Sequence, residues 1–207
     1  MRTKIGWSLM TFLALGIVLV VSRYLTLNPV VFFPQQRAVY LAHLTGIIAH
    51  VTGGMLALGL GPFQFLRGLR AKRPTLHRWL GRLYLLGILV GGTAGLYMAT
   101  FAYTGALASV GFGTLALLWL LTGALAYRSI RQGAVNTHRR WMIRNFALTF
   151  AAVTLRLQLP LLAAGFGFEP GYRIVAWSCW VPNLLLIEWW LNRRPTLMRR
   201  RPSPSGA

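Results

Sequence analysis

The stretch "TLHRWLGRLYLLGILVGGTAGLYMATF" (residues 75–101) carries all of its charge at or before Arg82 and none beyond it. A helix needs about 20 apolar residues to cross a hydrocarbon core of about 30 Å. The run therefore predicts a membrane-spanning helix near 78–101, entered through a histidine and a cluster of arginines. Five further runs of spanning length lie near 5–22, 38–66, 107–127, 141–163 and 172–191. The expected fold is all-α, an integral membrane bundle of six transmembrane helices. Residues 1–192 form one membrane domain, and 193–207 form a basic tail expected to be disordered. Pro62, within "GLGPFQF" (59–65), is expected to break or fray the second span, because its ring removes a hydrogen bond and clashes one turn back.

Composition excludes a soluble domain. Of 207 residues 56% are hydrophobic, and two acids, Glu169 and Glu188, face 22 basic residues, for a formal charge of +20. A soluble surface needs both signs. Nucleic acid is excluded as a partner because the cations fill gaps between apolar runs instead of covering a soluble face. A single cysteine, Cys179, leaves no disulfide within the chain. The first run looks like a signal sequence, with Arg2 and Lys4 ahead of it. However, "VVSRYLTLNP" (20–29) has no small-residue cleavage pattern, and a retained first span is expected.

Basic residues set the orientation. All but Arg23, Arg37, Arg156 and Arg173 fall at the amino end, in 67–82, in 128–144 or in the tail. Both termini are expected to be cytoplasmic, and "RRRPSPSGA" (199–207) is placed to touch anionic headgroups.

His77 and His138 lie 61 residues apart, each at the cytoplasmic entry of an outward-running span. Spans three-four and five-six thus form a weak parallel repeat about an axis along the membrane normal. Such an axis sets the two imidazoles at one depth, facing each other. A b-type haem asks for that arrangement, with cations for its propionates. Arg78, Arg82, Arg139 and Arg140 are candidate carboxylate partners. Gly81, Gly91, Gly92 and Gly95 let a macrocycle or another helix come close. The plainer reading is that both clusters are interfacial anchors. In span five, His138, Asn145, Thr149, Ala152 and Arg156 repeat at helical spacing and predict one inward polar stripe.

His43 and His50 are two turns apart, about 10.5 Å along one face. With Arg156 and Gln158 at similar depth, they suggest an outer pocket for a polar-headed molecule such as a quinone. Alternatively, the histidines bond carbonyls of neighbouring helices and Arg156 snorkels or pairs with Glu169. Glu188 either orients a ligand imidazole or bridges to Arg82, Arg144 or Arg193, and Gln64 sits near the same depth. No phosphate loop, carboxylate pair or Cys/His metal spacing occurs. Trp79, Trp119, Trp141, Trp177, Trp180, Trp189 and Trp190 are read as interfacial belts.

The motifs "HLTGIIAHVTGG" (43–54), "GPFQF" (61–65), "HRWLGRLY" (77–84), "GFGTLALLWLLT" (111–122), "HRRWMIRNFALTFAAVTLRL" (138–157) and "VPNLLLIEWW" (181–190) resemble a bacterial family of membrane proteins. It is known as domain of unknown function 2306, and the resemblance covers roughly 38–192. It implies a multi-span helical protein of the bacterial inner membrane and no established activity. "HRWLGR" also resembles the H-R-x-x-G-R motif of haem A synthases, which implies His77 and His138 as axial ligands. The glutamate that family carries just before its histidine is missing here, and the spans are too few for a second haem-binding half. This favours a haem scaffold over haem oxygenation.

The function expected is membrane redox or electron transfer with one haem b. His77 and His138 would ligate the iron, with quinone or a redox protein as partner. The alternatives are a small-molecule permease or binding protein, and a cofactor-free assembly subunit.

Overall fold

A computed structural model describes residues 2–193, with side chains from Lys4 onward; the expected disordered tail lies outside the described residues from 194 on. The helices are α1 (Arg2–Ser22), α2 (Arg37–Ala42), α3 (Leu44–Gln64), α4 (Arg67–Lys72), α5 (Pro74–Ala99), α6 (Ala106–Arg131), α7 (Val135–Thr149), α8 (Ala151–Phe166), α9 (Phe168–Ser178) and α10 (Val181–Asn192). Three short 3-10 turns lie between α1 and α2. No strand occurs among the described residues.

Six stretches are long and apolar enough to cross a membrane: α1 with its following turn, α3, α5, α6, α7 with α8, and α9 with α10. The surface confirms what the composition demanded. Phe12, Leu19 and Leu161 are 73–75% exposed along these helices, while Tyr84 and Asn145 are wholly buried. Apolar side chains outside and polar ones inside suit a protein whose solvent is lipid.

Lipid tails offer no hydrophobic reason for helices to associate, so close packing at small residues has to do it. The tightest seam joins α3 to α5. A Cβ on Gly91 would lie 2.9 Å from Gly54 N, and one on Gly87 would lie 2.8 Å from Gly53 O. The α6 helix packs on α5 and α7, α1 lies against α3, and α8 lies against α9. Gly167, at φ 84°, turns the chain between α8 and α9 in a conformation that favours glycine.

Four details depart from what the sequence predicts. The second span is two helices, broken at His43 (φ −121°, ψ 42°). Pro62 does not end α3, which continues to Gln64; the Trp7 indole N–H donates to the Pro62 carbonyl at 2.9 Å and braces this end. Trp119 and Trp180 are not belt residues, being 7% and 6% exposed within the core. Spans five and six are also interrupted, at Phe150 and at Cys179–Trp180. At the second break, Pro182 opens α10, where its missing N–H costs nothing.

Candidate functional site

His77 and His138 occupy equivalent places, each the fourth residue of its helix, α5 and α7. Each backbone N–H returns to the residue just before its helix, Arg73 or Ala134. Two turns further in, Tyr84 and Asn145 keep the same 61-residue offset and meet directly, with the Tyr84 hydroxyl donating to Asn145 Oδ1 at 2.7 Å. The two helix faces that carry the histidines therefore converge in the core.

The His138 ring is held by a 2.9 Å bond between Nδ1 and the Ala126 carbonyl on α6. A carbonyl can only accept, so Nδ1 carries a proton, and in the neutral ring Nε2 then has the lone pair. His77 is different, because its Nδ1 is buried with no partner. A second orphan lies against the next turn of α5. Gln64, 7% exposed, has no partner for Nε2, and a Cβ on Gly81, one turn past His77, would sit 3.5 Å from its Oε1. Arg70 on α4 is within electrostatic reach of both His77 and Arg139, and His138 of His77. Burial, with the charges of Arg139 and Arg67, lowers the Arg70 pKa, though an arginine remains cationic.

The other expected cofactor residues divide. Arg78 bonds Thr75 Oγ1 at 3.3 Å and Arg139 is exposed. The Arg82 guanidinium stacks 4.9 Å over Trp79, and Arg144 stacks 4.8 Å over Trp141, one arrangement used on both helices. Arg140 reaches the Leu191 carbonyl at 3.5 Å. Glu188 does not touch a histidine; it pairs with Arg144 through two hydrogen bonds, the Nη2 to Oε2 one at 2.8 Å.

The outer residues have separate partners. His43 bonds the Tyr97 hydroxyl at 2.8 Å and stacks on Phe101 at 3.9 Å, facing a lateral groove that Thr45, Thr93 and Tyr97 also line. His50 Nδ1 donates to Gly91 O at 2.8 Å, against Gly95, where a Cβ would approach that nitrogen to 2.6 Å. Gln158 accepts from Ser178 at 2.8 Å. Arg156 bonds Ala152 O at 2.9 Å and not Glu169, which pairs with Arg173 at 2.5 Å.

Of the expected polar stripe on span five, Asn145 and Thr149 enter a buried network. Asn145 Nδ2 donates to Trp119 O at 2.8 Å and to Thr122 Oγ1 at 2.9 Å. Thr149 Oγ1 accepts from the Trp119 indole at 2.8 Å and lies 3.0 Å from the Tyr84 hydroxyl. Tyr84 and Thr122 were not singled out by sequence reading, although the 61-residue offset points from Asn145 to Tyr84.

Among the described residues no three His, Cys, Asp or Glu side chains gather around one point as an ion site. Two imidazoles complete a metal site only if the metal brings its own equatorial donors, as haem iron does. His138, pinned through Nδ1, and His77, with its unanswered Nδ1, are the residues that would hold such a group.

No curated protein and no solved structure matches the chain. The family model described as predicted membrane protein (DUF2306) matches residues 47–191, which span α3 to α10 and take in His50, His77 and His138. The chain belongs to that family of membrane proteins.

Proposed function

We propose that the chain is a membrane redox protein of the bacterial inner membrane that holds one b-type haem between His77 and His138. The face carrying both termini would be cytoplasmic, as the basic loops predict. The observation that carries this reading is the state of the two imidazoles. One is fixed through Nδ1 with its Nε2 lone pair available, and the other buries a nitrogen with no partner. Neither is bonded to a carboxylate, because Glu188 is taken by Arg144.

A bound haem supplies a one-electron couple. The chain's own residues do the rest. The Ala126 carbonyl sets the His138 tautomer, and the Tyr84–Asn145 contact holds α5 and α7 at a set spacing. Arg78 and Arg139, each following its histidine, are placed to meet carboxylates at the membrane surface. The lateral groove at His43, with Thr93 and Tyr97, is where a quinone or other lipid-soluble electron partner would approach.

The test is an oxidised and dithionite-reduced spectrum of the detergent-purified protein, from cells supplied with haem, with a pyridine haemochrome assay. About one haem per chain is expected, with low-spin bands lost in both His77→Ala and His138→Ala. A flat visible spectrum overturns the reading and leaves both clusters as membrane anchors.

A further inference from the structure

Arg156 lies within the fifth span, about three turns from its Phe166 end. Its Nη1 donates to the Ala152 carbonyl, which answers one of its five N–H donors. A guanidinium stays charged, so inside a membrane it requires a counter-charge or polar partners. The described residues offer it no counter-charge. The chain has two acidic side chains, and both are committed, Glu188 to Arg144 and Glu169 to Arg173.

The groups within electrostatic reach of Arg156 make the excess plainer. They are two more basic residues, Arg23 and His50, and the hydroxyls of Tyr24 and Tyr40. His50 donates its Nδ1 proton to Gly91 O and so offers Arg156 no acceptor there. Tyr24 accepts from the Phe33 backbone N–H at 3.1 Å, which leaves its own proton to donate. The Tyr40 hydroxyl likewise has a proton to donate. Around these hydroxyls the rings of Tyr24, Phe32 and Tyr40 stand 5.3 to 6.3 Å apart, with Phe32 1% exposed. The position is thus rich in donors and short of acceptors. Leu157, the next residue, is 52% exposed toward lipid.

We propose that Arg156, with the Tyr24 and Tyr40 hydroxyls, forms an oxyanion site in the half of the membrane away from the termini, and that it takes a phosphate group. A planar fork with hydroxyl donors within its electrostatic reach suits the several oxygens of a phosphate. That phosphate is either the headgroup of an anionic lipid or free phosphate. The site is independent of the haem reading.

The test uses the full chain, delipidated in neutral detergent, and follows its thermal midpoint. The probes are dioleoylphosphatidylglycerol in mixed micelles and sodium phosphate, each against dioleoylphosphatidylcholine or chloride at equal ionic strength. Near saturation the wild type is expected to gain about 5–10 °C. The gain shrinks in a Tyr24→Phe/Tyr40→Phe variant and disappears in Arg156→Gln. A gain with phosphatidylglycerol alone assigns a lipid headgroup, and a gain with both probes assigns a site open to free phosphate. No gain in the wild type, or an equal gain in Arg156→Gln, overturns the site and moves any effect to the basic face. If Arg156→Gln does not accumulate, Arg156→Lys serves. It should need several-fold more probe for half its effect, and an unchanged requirement overturns the site. The haem spectrum of each variant should equal the wild type's, which separates this outcome from the fate of the His77–His138 reading.

Discussion

Tyr84, Asn145 and Thr149 lie at the centre of the bundle with their side-chain groups answered, whereas Gln64 and His77, at the basic end, bury nitrogens that nothing answers. Both groups are polar and both draw on the seam of α3 on α5, which the central network extends to α6 and α7. The difference is in what each leaves over. A polar side chain in an apolar solvent either knits helices together or waits for something to meet it. The central network is closed, and the basic end is open.

The comparison breaks first if its shared frame does not matter. Gly53→Val pushes a branched side chain into the α5 backbone at Gly87 and Gly91, which cannot give way as a side chain could. A loss of at least ~3 kcal/mol is expected, read as failure to recover monodisperse protein from membranes. Next comes Asn145→Leu, which leaves the Tyr84 hydroxyl, the Trp119 carbonyl and Thr122 without their common partner. It should cost about 2–4 kcal/mol in denaturant unfolding in micelles. Gln64→Leu, at the open end, should do the opposite. It removes a buried donor with no acceptor and keeps the side-chain volume, so a gain of up to ~1 kcal/mol is expected in the same assay without cofactor or ligand. A loss as large as that of Asn145→Leu would show that the two ends are alike. The smallest effect is expected for Glu169→Gln, which cuts an exposed pair four residues apart and should move stability by about 0.5 kcal/mol or less.

The spans were legible in the sequence because an apolar solvent leaves its mark on every turn of a helix. The depth of His77 and His138 was legible for a related reason, since both sit where charge gives way to apolar residues. The inward stripe of Asn145 and Thr149 could also be read from spacing along one helix. Their partners could not. Nothing in "LLWLLT" distinguishes an indole at the bilayer surface from one buried against Thr149, because that depends on which neighbour covers it. For the same reason His43, His50, Arg156 and Gln158 looked like one group by depth and turned out to have separate partners. Depth can be read from one helix, but azimuth needs the others. The Glu188 partner was open among three arginines, and packing of α10 against α7 selected Arg144.

The attachment of α1 has a consequence for the order of assembly. Ala14 meets Leu58 of α3 and Val153 of α8 in one buried cluster, and the Trp7 indole reaches the end of α3. Synthesis delivers these contributors in sequence, the first span early, the second soon after and the fifth much later. For most of translation α1 is a helix surrounded by lipid, touching its second-span partner at most, and its third neighbour arrives only when most of the chain has been made. Of the six spans, the first to be made is therefore among the last to be fully packed.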